Sequence, residues 1–398
     1  MTAEPAGTTR GRTDAATVGR QRLTVSAAYA AQGLGYATVV TSLPVIKHRV
    51  DIDDTVVSML LLGTCLAAAL GSIVADAIAV RWGSRQALVA GLAAQAVALV
   101  LMSTAGTFPV LLIAVVVYGV GLGAVDAASN MQGALVQRHH PRPIFGRLYA
   151  AYTAAAIVAT AGTAGILAVD APPALTLVVA GVLIAAVAAW GVRGFDPERA
   201  AHRADDDATV RTPLPRKAIW AVGALVFAAF VVDSAVSSWS TLYLAEGLGA
   251  APWLTPLGYG GYLVAVLAAR LGADAAVRRV GRMRVAFVAV AVATVGALIV
   301  AFAPVPAAAI VGFALMGAAA GALVPIAFSR AGELLPARSD EVIARVNIFN
   351  YGGAVAGAVV LGLVATGPAL GPAFLIPAAI LLALSPLLRA LRRVPVGP

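Results

Sequence analysis

Asp126 stands in "GVGLGAVDAASNMQG", an otherwise uncharged run. Gly119, Gly123 and Asn130 recur around it at spacings of three or four residues, which puts them on one helix face. Small residues let a second helix approach closely, and the acid and amide then form a polar pair at the contact. Such a pair can accept a proton, bind a cationic or hydroxylated solute, or simply tie two helices together. A second acid, Asp233, lies in "FVVDSAVSSWSTLYL" with Ser237, then Ser240 or Thr241, on its face and Trp239 and Tyr243 nearby. Hydroxyls orient a polar organic solute and rings stack on it; the plain alternative for Tyr243 is an aromatic belt. Arg270 precedes Asp274 by four residues, the spacing of a helical ion pair. Gln32 and Tyr36 share a face, as do Asn347 and Tyr351; Tyr29, Tyr152 and Asn350 complete the set of polar candidates in apolar surroundings.

Those surroundings are extensive. Of 398 residues, 60% are hydrophobic and 12% charged, with mean hydropathy +0.90. A soluble domain carries about a quarter charged residues, so most of this chain's outer surface must meet lipid. A hydrocarbon core of about 30 Å takes roughly 20 apolar residues per helix. Twelve stretches satisfy that measure, near 23–46, 55–80, 86–103, 108–136, 148–168, 173–192, 218–244, 251–280, 285–302, 307–334, 341–365 and 370–388. The predicted fold is therefore an all-α membrane protein of two six-helix bundles, 23–192 and 218–388. A tail at 1–22, a solvated linker at 193–217 containing "RADDD", and a tail at 389–398 complete the chain.

Charge gives the orientation. Lys and Arg crowd into both tails, the linker and the other even-numbered connections, whereas the odd-numbered side has only Lys47 and Arg49. The positive-inside rule predicts a cell-membrane protein with both termini in the cytoplasm. Net charge +9 and a pI near 10.2 are then orientation signals, and nucleic acid is not an expected partner. The polar first 22 residues and the length of the first span argue against a cleavable signal peptide.

One charged phrase is written twice. "VADAIAVRWGSR" carries Asp76, Arg81, Gly83 and Arg85; "LGADAAVRRVGR" carries Asp274, Arg279, Gly281 and Arg282. The Asp, Arg and Gly repeat at an offset of 198, as do Arg147 with Arg345 and Gly123 with Gly321. Duplicated six-helix halves with solute handled near the midplane characterise the major facilitator superfamily. The chain resembles that family over nearly its whole length, and the repeated phrase resembles its Gly-x-x-x-Asp-Arg-x-Gly-Arg-Arg loop. Val80 replaces the usual acid, and Asp76 lies one turn earlier; the second copy departs identically, with Arg278 in the usual acid position. "GLGAVDAASNMQG" and "WSTLYLAEGLGA" resemble the fucose-permease-like branch.

The resemblance implies a monomeric secondary transporter working by alternating access, with spans 1, 4, 5, 7, 10 and 11 lining its cavity. It further implies that the repeated phrase closes the cytoplasmic side, through charge-assisted bonds made in one conformation and lost in the other. The alternative is that these Arg residues are only topology signals. The expected function is transport of a small polar organic solute, coupled to protons through Asp126, Asp233 or both, with import and export equally open. The rivals are a drug or small-molecule exporter and a non-transporting receptor. The Gly-Pro signature of many proton-coupled drug antiporters is absent from "AAYTAAAIVATAGTAG".

No enzyme is expected, for no paired carboxylates or nucleophile–base spacing falls on one helix face. "GVGLG" follows no strand and is no dinucleotide loop. No phosphate-binding loop of the Gly-rich Lys-Ser/Thr type occurs in a chain with two lysines. No cofactor or metal is implied: His139 and His140 are neighbours in a basic loop, and the lone Cys65 excludes an internal disulfide.

Overall fold

The computed structural model describes residues 8–138, 144–197, 214–335 and 339–391, and every regular element among them is helical. His139 and His140 lie outside the described residues. α1 (Thr8–Val50) is 43 residues long and carries Lys47 and Arg49 in its last turn, whose charge complements the negative end of the helix dipole. The chain reverses through Asp51 at φ 55°. Asp53 then caps the next helix by accepting the Val56 amide at 2.8 Å. α2 (Asp54–Trp82), α3 (Ser84–Thr104), α4 (Phe108–Arg138), α5 (Phe145–Ala168) and α6 (Ala174–Gly194) follow.

α7 (Arg216–Leu242) continues into a π turn, Tyr243–Gly247, and the two together cover the expected seventh span. The eighth span, expected from 251, opens as a 3₁₀ turn at Pro252, and α8 (Leu257–Val280) follows after Pro256. α9 (Arg282–Phe302), α10 (Pro306–Leu334) and α11 (Ser339–Val364) match the expected spans. The last span is broken where continuous helix was expected. α12 (Leu370–Ala373), α13 (Leu375–Ala383) and a 3₁₀ segment, Ser385–Leu391, bend by 46° in a stretch interrupted by Pro372, Pro377 and Pro386. Ten described helices are long and apolar enough to cross a membrane; the bent pair, as one span, makes eleven. With the apolar stretch of α1, these account for the twelve spans. Their large exposed side chains, such as Ile73, Val158, Leu271 and Phe302, present hydrocarbon outward as lipid contact requires.

The chain divides into two compact units. The first comprises Met1–Val39, Gly63–Ala159 and Ala174–Asp206; α3 packs on α4 and α6 around Leu88, Leu92, Leu99 and Ile184. The second comprises Val40–Leu62, Thr160–Pro173 and Asp207–Pro398; α7 packs along α11, and α10 on α8 and α9.

The 198-residue offset reappears as repeated geometry inside each unit. Gly123 of α4 lies against the Ala68 carbonyl of α2, and Gly321 of α10 against the Val266 carbonyl of α8. Gly119 with Thr64 and Gly317 with Tyr262 repeat the relation one turn away. A Cβ at any of these four glycines would collide with the partner backbone, so helix contact is set by what the glycines lack.

Candidate functional site

In the first unit α1, α4 and α5 gather a polar cluster. Gln32 Nε2 donates to Asp126 Oδ1 at 3.4 Å. Asn130 Nδ2 donates back to the Asp126 main-chain carbonyl at 2.9 Å, and its Oδ1 accepts from the hydroxyls of Tyr29 at 2.7 Å and Tyr149 at 3.4 Å. The Tyr29 and Tyr149 rings meet edge to face, 5.3 Å apart. Gln32 and Tyr29 are buried, whereas Tyr149 is exposed. Gly33 sets the approach of α1 to α5 by packing on the Tyr152 carbonyl; the Tyr36 and Tyr152 side chains are half-buried. Among the described residues no cation forms an ion pair with Asp126. The cluster therefore offers a carboxylate, two amides and two phenols to anything that reaches it.

The second unit holds Asp233 differently. The buried Tyr262 of α8 donates its hydroxyl to Asp233 Oδ1 at 2.5 Å, and Arg270, two turns further along α8, exerts its charge on the same carboxylate. Tyr259 stacks beside Tyr262 at 6.1 Å. Of the expected hydroxyl and aromatic partners of Asp233, three bond main-chain carbonyls, and Ser240 and Thr241 are buried. Ser237 donates to the Ser234 carbonyl, the Trp239 indole to the Ala358 carbonyl at 2.8 Å, and the Tyr243 hydroxyl to the Val300 carbonyl at 3.1 Å. Trp239 and Tyr243 are buried, so they serve as packing anchors and Tyr243 is no membrane-interface belt. Asn350 donates to Asn347 at 3.0 Å; both are half-buried, and Tyr351 faces outward.

The repeated phrases share a backbone geometry. Gly83 adopts φ 98°, ψ 154° and Gly281 φ 86°, ψ 150°, a conformation essentially reserved for glycine. Asp76 and Arg81 are exposed, and the Arg81 guanidinium lies over the Trp82 ring, 5.1 Å from its centroid. Arg85 is half-buried and Arg279 exposed. The Asp274 side chain lies outside the described residues, and with it the expected Arg270–Asp274 pair. Arg282 makes a two-pronged pair with Glu333 of α10 at 2.5 and 2.6 Å.

Lys47 lies just past the apolar stretch of α1. Its ammonium is shared between Asp54, at 2.6 Å, and Glu246, and His48 stands 3.6 Å from the other Glu246 oxygen. Burial alone would lower the Lys47 ammonium, but the two carboxylates more than offset it and hold it above the ordinary lysine range. Glu246, Tyr149 and Tyr262 were not candidates from sequence. Tyr262 had a signal, since "GYGGYL" puts Tyr259 and Tyr262 three residues apart in an apolar span. Glu246 had none, because its partner lies 199 residues away.

Twelve spans, a duplicated helical plan and carboxyls held inside the spans define a multi-pass membrane transporter built from two repeats. Residues 25–298 match the model of the Major Facilitator Superfamily, and the chain belongs to that family. It is 27% identical over 376 residues to an uncharacterized MFS-type transporter of Yersinia pestis, covering 94% of this chain and 96% of the relative. To the uncharacterized transporter y4wD of Sinorhizobium fredii it is 30% identical over 299 residues, covering 74% and 78%. A crystal structure of the nucleoside transporter NupG superposes with TM-score 0.75 at 13% identity, covering 94% of this chain and all of that one.

Proposed function

We propose that this transporter moves a small polar organic solute across the cell membrane by alternating access, in exchange or in company with protons. Both termini lie in the cytoplasm, where the basic connections are. Asp126 carries this reading. It is a carboxyl within a membrane span, met by the Gln32 amide and ringed by Tyr29, Tyr149 and Asn130, with no cation bonded to it among the described residues. Ionisable groups in that position are costly and are kept for ion or solute handling. Asp233, under its Tyr262 hydroxyl, is the second proton-handling candidate. The repeated phrases around Gly83 and Gly281 form the cytoplasmic gate in this reading, supported by their common backbone geometry and by the Arg282–Glu333 pair.

The test uses proteoliposomes enclosing a pH-sensitive dye, with sugars, nucleosides, amino acids and organic cations added in turn. A solute that moves protons in the parent protein, and moves none in Asp126→Asn or in Asp233→Asn, supports the proposal and names the coupling acid. Uphill uptake that persists after the proton gradient is collapsed would overturn it.

A further inference from the structure

We propose that Lys47, Asp54 and Glu246 form a charge latch in which Lys47 stays with Asp54 while Glu246 is the half that lets go. All three belong to the second compact unit, which includes the segment Val40–Leu62 and α7, and Lys47 meets Glu246 just past the end of α7. Lys47 is one of the chain's two lysines and, with Arg49, one of two basic residues on the side opposite the charged connections.

The two carboxylates hold Lys47 from different distances in sequence. Asp54 is seven residues away, across the turn between α1 and α2. That turn is closed by the Ile52 amide donating to the Lys47 carbonyl at 3.2 Å and by the Asp53 cap, so the Lys47–Asp54 pair is local to its own hairpin. Glu246 arrives from the π turn after α7, 199 residues away. A buried ammonium stripped of every carboxylate is strongly destabilising. Asp54 removes that penalty when the segment parts from α7, because Lys47 leaves already neutralised. Glu246 is the more exposed of the two acids, with 16% of its side-chain surface accessible against 3% for Asp54, and water can take it up on release. The same end carries other contacts that can part without stranding a charge. Ser58 of α2 and Trp239 of α7 meet at Gly362 of α11, Thr41 bonds Thr163 at 3.2 Å, and Thr160 packs on Gly260.

The inference deepens the alternating-access reading, but its test does not depend on solute, protons or orientation. Full-length protein carrying Cys65→Ala and Ser58→Cys is purified in detergent, and the rate of maleimide labelling is read at the new cysteine. Ser58 is buried in the closed arrangement, so labelling reports its opening. Glu246→Gln is expected to raise the rate about tenfold, the effect of 1.4 kcal/mol on an opening equilibrium. Asp54→Asn is expected to lower it or leave it at the parent rate, because Lys47 then depends on Glu246 alone. Glu246→Asp, a milder change, is expected to fall between parent and Glu246→Gln. Equal rates in parent and both Glu246 variants would overturn the latch. Equal acceleration by Asp54→Asn and Glu246→Gln would overturn the division of labour and make the three residues a static staple.

Discussion

Tyr262 and Asp233 are joined by a single hydrogen bond of 2.5 Å, the hydroxyl of α8 donating to the carboxylate of α7. They are 29 residues apart in sequence, on consecutive spans whose connection contains a π turn and a 3₁₀ turn. Tyr262 is buried and stacked by Tyr259, so the phenol has little freedom to leave. A donor fixed in this way positions the carboxylate and decides which of its oxygens stays open to a proton or solute. Bonds to an ionised group contribute about 1.5–3 kcal/mol. Tyr262→Phe is therefore expected to cut solute-driven proton movement by about tenfold or more and to alter its pH dependence. Combined with Asp233→Asn it should add nothing further, because both act through one bond. Initial rates in proteoliposomes over a pH series measure this, and a second, additive loss would refute the positioning role.

The first unit gives a prediction of opposite form. Gln32 contacts Asp126 through a long bond of 3.4 Å, whereas Asn130 is held by Tyr29 at 2.7 Å. Asn130 therefore depends on its phenol more than Asp126 depends on its amide. Tyr29→Phe is expected to loosen Asn130 and weaken solute binding several-fold while proton uptake in the absence of solute is retained. Asp126→Asn is expected to remove the proton response and leave the fold intact. Ligand titration by thermal shift, read beside the pH-dye assay, separates the two.

Much of this was legible because membranes constrain sequence so tightly. Apolar stretches of about 20 residues and the placement of Arg residues carry span number and expected orientation. The equally spaced Asp, Arg and Gly of the phrases around Gly83 and Gly281 carry the repeat. Helix breaks were harder: the proline-rich last span bends by 46°, whereas Pro44 sits inside α1 and Pro325 inside α10 without ending either, and only the packing around each decides. Side-chain direction was harder still. Ser237 shares a helix face with Asp233, yet bonds the Ser234 carbonyl, because a buried hydroxyl can satisfy itself on its own helix. Partners from other helices, such as Tyr149, Tyr262 and Glu246, leave no mark in local spacing.

Gly83 and Gly281 set equal and separate tests of the repeat. Both hold a positive φ with extended ψ, and nothing lies within 4 Å of a Cβ added at Gly281, so the cost of a side chain there is conformational. Gly83→Ala and Gly281→Ala should each destabilise by about 1–3 kcal/mol. Gly165→Ala, in the open on α5 with helical backbone, should stabilise by about 0.4–1 kcal/mol. Thermal unfolding of the three detergent-purified variants against the parent checks the order. If the two loop glycines tolerate alanine as Gly165 does, the shared geometry is incidental.

A last pair shows the two units solving one problem with different chemistry. Gln132 on α4 bonds Asp196 twice, its Nε2 donating to the carbonyl at 3.0 Å and its Oε1 accepting the amide at 2.8 Å; it also reaches Ser84 at 2.9 Å. At the same offset of 198, Arg330 on α10 donates from Nε to the Ala390 carbonyl at 3.0 Å. Each side chain holds the exit of its unit's last span against the end of its fourth. Gln132 is fully buried, so Gln132→Leu keeps the volume but strands the Asp196 amide and carbonyl, each at a cost of about 1–3 kcal/mol. Arg330→Leu strands one carbonyl only, but it also removes the charge 3.8 Å from Glu333, which Arg282 still neutralises. The expected order of melting temperature is parent, then Arg330→Leu, then Gln132→Leu, with transport retained wherever the protein stays folded. Loss of transport in either variant at unchanged melting temperature would mean that these residues belong to the gate rather than to the scaffold.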